Sequence, residues 1–287
     1  MRKLLVLTLA VVLVVGMSTV VMAQNNDADV DQIGNNQGAV INQDGNNNEA
    51  DVYQFSDNDG PQEADVLQRG RANLVDISQE QIGGGNTGTN FATAKQWGVS
   101  NEIIQNTTAP GMNGGQNVEA IQDGRNNKVE QHILSGYTNS LYSYQFGTNN
   151  YAYQSLAANH SHLEIYQNGQ FNDAYQFVDG SNHGYMGSEV IIDQDGRRNF
   201  AKQDIEGGSL GTQTTAVINQ SGRSNSATQL INGSDNKTMV NQDGFNNTAM
   251  TNQVGNNNNS DVIQNGSNQT TTIDQVGNDN NTTVIQN

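Results

Sequence analysis

The side chains that recur at fixed spacing in this chain are primary amides, and the chemistry open to them is hydrogen bonding, not proton or group transfer. A Gln or Asn amide carries two N–H donors and a carbonyl acceptor. The pattern Q-x-G-x-x-[N/Q] starts at Gln32, Gln43, Gln68, Gln81, Gln96, Gln122, Gln145, Gln167, Gln194, Gln220, Gln242, Gln253, Gln264 and Gln275. Those fourteen copies end in Asn in all but two cases, where Gln37 and Gln269 stand instead. A tandem repeat of this kind must be read before any other feature of the chain.

Spacing says which elements position the amides. Gln242, Gln253, Gln264, Gln275 and Gln286 lie eleven residues apart, as do Gln32, Gln43 and Gln54. Two elevens give a longer period of twenty-two, and two interleaved series follow it. One runs Gln43, Gln68, Gln96, Gln122, Gln145, Gln167, Gln194, Gln220, Gln242, Gln264, Gln286; the other runs Gln32, Gln54, Gln79, Gln105, Gln131, Gln154, Gln176, Gln203, Gln229, Gln253, Gln275. Two residues before each glutamine stands Ala, Val or Ile, with Ser143 and Thr251 as the exceptions. Side chains two apart on a strand share a face. Each glutamine therefore ends a short strand and shares its inward face with an apolar neighbour.

The step from Gln242 to Asn247 is odd, so a straight strand would put the two on opposite faces. Gly244 lies between them and can bend the chain through positive φ. The bend turns Asn247 inward again, toward a second sheet. A buried amide is costly unless its hydrogen bonds are met. In a stacked coil the same amide recurs ~4.8 Å above itself, so a column of identical amides satisfies itself except at its ends.

The fold this predicts is all-β: a β-solenoid of about ten strand-arc-strand coils in two stacked sheets, amyloid-like when polymerised. The ladder residues are Gln43, Gly45 and Asn48, then Gln68, Gly70 and Asn73, then Gln96, Gly98 and Asn101, then Gln122, Gly124 and Asn127. They continue with Gln145, Gly147 and Asn150, Gln167, Gly169 and Asn172, Gln194, Gly196 and Asn199, Gln220, Gly222 and Asn225, Gln242, Gly244 and Asn247, and Gln264 with Gly266. One arc of each coil keeps this form. The other varies, with long forms at residues 56–62, 106–115, 179–187 and 206–211. Pro61 and Pro110 fall in these variable arcs, where a missing amide proton does no harm.

Composition agrees with a repeat and argues against an ordinary globular core. Only 33% of the 287 residues are hydrophobic, Gly reaches 31 and Pro only 2. There is no Cys, so no disulfide staples the fold. The net charge of −17 argues against nucleic acid as a partner, since phosphates would repel the chain. Arg2 and Lys3 precede an apolar run at residues 4–15, and Val21-Met22-Ala23 has the small-residue cleavage form. Residues 1–23 are expected to be a cleaved secretory signal peptide and residues 24–287 the repeat.

The repeat resembles the curlin repeat of curli-type amyloid subunits, Q-x-G-x-x-N-x-A-x-x-x-Q. It is seen from Gln43 to Gln54 with Ala50, and from Gln242 to Gln253 with Ala249. The copies at Gln145, Gln167, Gln194 and Gln220 keep Ala152, Ala174, Ala201 and Ala227 but place the following Gln two positions earlier. Parity keeps those glutamines inward. The resemblance implies a major fibre subunit on the surface of a Gram-negative-type bacterium, secreted through an outer-membrane pore, seeded by a nucleator subunit, and serving biofilm matrix and adhesion. Its main partner is then itself. Known curli subunits have five or so repeats, and many carry a pore-addressing segment; only residues 24–31 precede Gln32 here. The alternatives are a nucleator of the same fibre and a monomeric solenoid adhesin.

Other chemistry is thinly represented. His160, His162 and Glu164 could ligate a metal, but a solvated loop is the simpler reading. No nucleophile elbow or phosphate loop appears, so no catalytic residue, cofactor or metal is assigned. Arg69, Arg71, Arg125, Arg197, Arg198 and Arg223 all sit in the constant arc, as solvated corners or as charges that slow premature polymerisation. Tyr142, Tyr144, Tyr151, Tyr153, Tyr166, Tyr175, Phe171 and Phe177 cluster in the middle coils, where several face outward for bundling or adhesion, or else fill space beside the ladder. The final residues, 282–287, follow the repeat, so no end cap is expected and ends should dock on ends.

Overall fold

A computed structural model describes residues 25–57, 60–81, 88–108, 115–180, 187–207 and 213–287. The expected signal peptide, most of the copy starting at Gln81 and parts of four variable arcs lie outside the described residues.

The described residues form strands joined by arcs. In chain order they are β1 (Asp27–Ile33), β2 (Gln37–Asn46), β3 (Glu49–Ser56), β4 (Gln62–Arg71), β5 (Leu74–Gln81), β6 (Asn90–Val99), β7 (Glu102–Thr108), β8 (Asn117–Arg125), β9 (Lys128–Ser135), β10 (Ser140–Thr148) and β11 (Tyr151–Ala157). There follow β12 (His162–Gln170), β13 (Asp173–Asp179), β14 (Glu189–Arg197), β15 (Phe200–Glu206), β16 (Thr215–Arg223), β17 (Ser226–Asn232), β18 (Lys237–Phe245), β19 (Thr248–Val254), β20 (Asn259–Ser267), β21 (Thr270–Val276) and β22 (Asn281–Gln286).

Odd-numbered strands make one parallel eleven-stranded sheet and even-numbered strands the other, each in sequence order. Each coil adds one strand to each sheet, so the described residues wind through eleven coils separated by ten steps. This is the two-sheet solenoid that the spacing predicts. Because the winding is parallel, an interior position repeated from coil to coil becomes a column along the molecule.

The burial pattern alternates strictly along the strands, as in β16, where Ala216, Ile218 and Gln220 are buried and Val217 and Asn219 are not. Strands β7 to β21 thus present three inward side chains each, and β3 to β6 present four. One continuous aliphatic cluster runs from Ala50 to Ile273 between the sheets. A second cluster, containing Ile133, Leu141, Leu156, Leu163, Val178, Val190, Ile205 and Ile231, fills only the middle coils.

Candidate functional site

The first glutamine series occupies one register position of the even sheet, from Gln43 on β2 to Gln286 on β22. Each Nε2 donates to the Oε1 one coil further on, from Gln43 to Gln68 and so on to Gln286, at 2.8–3.0 Å. The second N–H crosses to the opposite sheet. Gln96 donates to the Leu74 carbonyl at 3.0 Å, Gln145 to Lys128 at 3.0 Å and Gln242 to Ser226 at 3.0 Å. Each interior amide therefore uses both donors and its acceptor. The column is directional, beginning at the acceptor of Gln43 and ending at the donor of Gln286.

The second series does not form one column, although the sequence shows it as one series. Gln32, Gln54 and Gln79 align with each other. At the next step Gln79 pairs with Thr107, and Gln105 pairs with Ile77. Gln105 then starts a run through Gln131, Gln154, Gln176, Gln203 and Gln229. At β19 the register moves back, with Gln229 beside Thr251 and Gln253 beside Ile231. The odd sheet thus holds three glutamine ladders, linked internally at 2.6–3.0 Å. Nor do all the glutamines end their strands' inward faces: Ser56 and Gln81 are buried beyond Gln54 and Gln79, and the six glutamines of the middle run are also followed by inward residues. Two residues on, Thr107, Ile133, Leu156, Val178, Ile205 and Ile231 point inward as well.

Each break has a polar cost. The acceptors Gln105 Oε1 and Gln253 Oε1 are buried without a hydrogen-bond partner, and they are the first rungs of the second and third ladders. On the other side of each break the donor finds a substitute. Gln79 Nε2 donates to the Asn90 carbonyl at 3.3 Å, and Gln229 Nε2 to Thr238 Oγ1 at 3.3 Å.

The arc asparagines join coils through the backbone more than through each other. In successive arcs from Asn73 to Asn247 the asparagine backbone N–H donates to Oδ1 of the asparagine one coil earlier, at 3.0–3.2 Å. Asn48 to Asn247 each donate Nδ2 to the arc-glycine carbonyl one coil later, at 3.0–3.4 Å. At the last of these arcs Gln269 takes the asparagine role, its N–H bonded to Asn247 Oδ1. The arc glycines from Gly45 to Gly266 have φ between 104° and 140°. A Cβ on any of those up to Gly244 would be driven into the carbonyl oxygen of the glycine stacked on it. Backbone conformation and stacking distance both demand glycine there.

The outer surfaces are mixed. On the odd sheet Tyr151 lies 5.5 Å from Tyr175, and Tyr153 lies 5.2 Å from Phe177. On the even sheet Phe146 lies 5.6 Å from Tyr166, and Tyr142 stacks on Tyr144 at 6.4 Å. Burial, and then nearby Glu119 and Glu164, push the Tyr144 hydroxyl up to about 12. His162 and Glu164 approach to 3.6 Å, and no group of three metal-ligating side chains forms among the described residues.

The curlin associated repeat is matched at residues 23–55, 233–266 and 244–277. Three stretches of the chain thus carry this repeat, as expected of a curlin-repeat protein. The matched stretches hold Gln32, Gln43 and Gln54 at one end, and Gln242, Gln253, Gln264 and Gln275 at the other, where glutamines recur every eleven residues. No curated protein matches the chain. The repeat belongs to curli-type, fibre-related proteins, a structural family and not a catalytic one.

Proposed function

We propose that this curlin-repeat protein is the major structural subunit of an extracellular curli-type amyloid fibre that grows end to end and serves as biofilm matrix and adhesive. One observation carries the reading: both sheets are parallel, in register and open at the ends. Among the described residues β1 and β2 bound the stack on one side and β21 and β22 on the other. Open edges expose unpaired N–H and C=O groups that template another strand. The glutamine column gives these ends opposite characters, an acceptor at Gln43 and a donor at Gln286. A second copy placed in the same direction continues the column across the junction, and a reversed copy sets like against like.

On this reading residues 1–23 are removed on export, and the ladder residues from Gln43 to Gly266 are what the fibre stacks. An outer-membrane pore and a nucleator subunit are the natural partners, and the Gram-negative-type cell surface is the site of growth. The test is seeded growth of residues 24–287 followed with an amyloid dye and by fibre diffraction. A meridional spacing of ~4.8 Å and elimination of the lag by preformed seeds support it. A chain that stays monomeric at high concentration, with or without seeds, rules it out in favour of a solitary adhesin. Deletion in the host separates subunit from nucleator, because loss of a nucleator leaves secreted, unpolymerised subunit.

A further inference from the structure

In three coils the two edges of the solenoid carry opposite charge, although Asp44, Asp123, Asp195 and Asp243 also lie on the constant arcs. Removing Arg2 and Lys3 leaves six arginines, and all of them lie on the constant arc. All six are exposed, and none makes an ion pair among the described residues. Lys95 and Lys237, on the even sheet, also make no ion pair among the described residues, but two other lysines do. Lys128 pairs with Glu102 and Glu130, and Lys202 with Asp204, all on the odd sheet. Rings within the edge hold three of the arginines in place: Arg197 and Arg198 lie 5.7 and 6.0 Å from the Phe171 ring centre, and Arg223 lies 5.8 Å from that of Phe245.

The opposite edge, built from the variable arcs and the strand ends that enter them, has no Lys or Arg in its arc sequences. It carries exposed Asp57, Asp179, Glu206, Asp235 and Asp279. Acids and arginines share coils. The coil of β3 and β4 has Asp57 on one edge and Arg69 and Arg71 on the other. The coil of β13 and β14 has Asp179 opposite Arg197 and Arg198, and the next has Glu206 opposite Arg223. Asp179 and Glu206 are direct register partners, as are Arg197 and Arg223. Asp195 also lies on the arginine edge, yet the edge remains net positive in these three coils.

We propose that the arginine edge is a lateral docking surface for the acidic edge of a second copy of this chain, side by side, in the same direction and without stagger. A sideways translation that keeps coils level brings five of the six arginines to carboxylates at matching heights. A reversed neighbour does not keep this match. Such exposed pairs are individually weak and salt-screened, so the contact depends on several acting together. The proposal adds a sideways contact to the fibre reading and rests on that reading for its filaments.

The test compares wild type with a chain carrying Arg69→Gln, Arg71→Gln, Arg197→Gln, Arg198→Asn and Arg223→Gln. The arc tolerates these residues, since Gln170 is the register partner of Arg197 and Asn246 already adopts a φ of 57°. Filament length reports end-to-end growth, and filament width reports the edges. Wild type should bundle at low ionic strength and separate into single filaments near 0.5 M salt, where the Debye length falls to a few ångströms. The variant should form single filaments of full length at both. Bundles that persist in the variant, or wild-type filaments that stay single at low salt, overturn the proposal and leave the stacking reading intact. Should wild type form no filaments, the stacking reading fails instead. Salt-dependent pairing of monomers in sedimentation, lost in the variant, then supports the edge contact, and its absence overturns it.

Discussion

The even sheet keeps one glutamine ladder through all eleven coils, and the odd sheet splits its own into three. Both are built from the same residue at nearly the same spacing. The difference lies in what stands two residues beyond the glutamine. In the even sheet, from Gln43 to Gln264, it is the arc glycine, as in Gln145-Phe146-Gly147, so the amide is pinned at the mouth of the constant arc. In the middle coils of the odd sheet it is Thr107, Ile133, Leu156, Val178, Ile205 or Ile231, which takes the position nearest the variable arc and moves the amide one inward place back. The exchange gives those coils a second apolar cluster. Its cost is an unmet carbonyl oxygen at Gln105 and another at Gln253.

The strongest way to break the continuous ladder is through its arc. Gly124 has φ 140°, and an added Cβ would run into the Gly147 carbonyl oxygen. Gly124→Ala combines a strained φ with a backbone clash and should cost at least about 3 kcal/mol. A guanidinium titration followed by circular dichroism would show it as a lowered midpoint. Gly38→Ala is the control, since a Cβ there meets nothing within 4 Å.

Removing a middle rung comes next. Gln145→Leu keeps side-chain volume but strips Gln122 of an acceptor and Gln167 of its donor. Two buried polar atoms left unpaired cost about 2–4 kcal/mol together. Gln105→Leu looks alike on paper and should differ. It removes one oxygen that is already unmet and leaves another unmet at Gln131, so the break only moves by one coil. Its new side chain extends the apolar column from Ile77. We expect a change within about 1 kcal/mol. Equal losses for the two substitutions, measured by denaturant midpoint and amide exchange, would show that the breaks carry no energetic meaning.

The sequence made the two-sheet solenoid legible because parity is unforgiving: an apolar residue two before a glutamine, an odd step across a glycine, and a return to the same face leave one winding. The register shifts were harder to see. Val or Ile precedes Gln54 and Gln275 as it precedes Gln105, so the upstream side is silent about which inward place the glutamine takes. The downstream residue carries the signal, Gly255 after Gln253 against Leu156 after Gln154. The asparagine bonding was not legible at all. Which atoms Asn127 or Asn150 reaches depends on where the arc places backbone N–H and carbonyl groups, and residue type does not encode that. Nor could charge on facing edges be read before the coils were aligned.

The smallest expected effect contrasts the outer faces of the two sheets. The even sheet never sets one carboxylate directly beside another in adjacent strands, whereas the odd sheet stacks Asp29, Asp51 and Asp76, with Asp27 beside Glu49. The next strand places Ile104 over Asp76, so no cation closes the column. Partial burial, and then the charge of Asp51, hold the Asp76 carboxyl above its ordinary value. A carboxyl whose folded pKa is raised binds its proton more tightly when folded. Stability linked to it is therefore complete below the unfolded pKa near 3.9 and is lost as pH rises through the folded pKa. Acidifying from neutral toward pH ~4 should tighten the first coils, and the protection factors of amides in β3 and β5, taken against intrinsic exchange at each pH, should rise. Asp76→Asn removes the titration and should flatten that response while leaving β18 and β20 unchanged. A pH response of equal size in β18 and β20, or one that survives Asp76→Asn, would place its origin outside the stacked carboxylates.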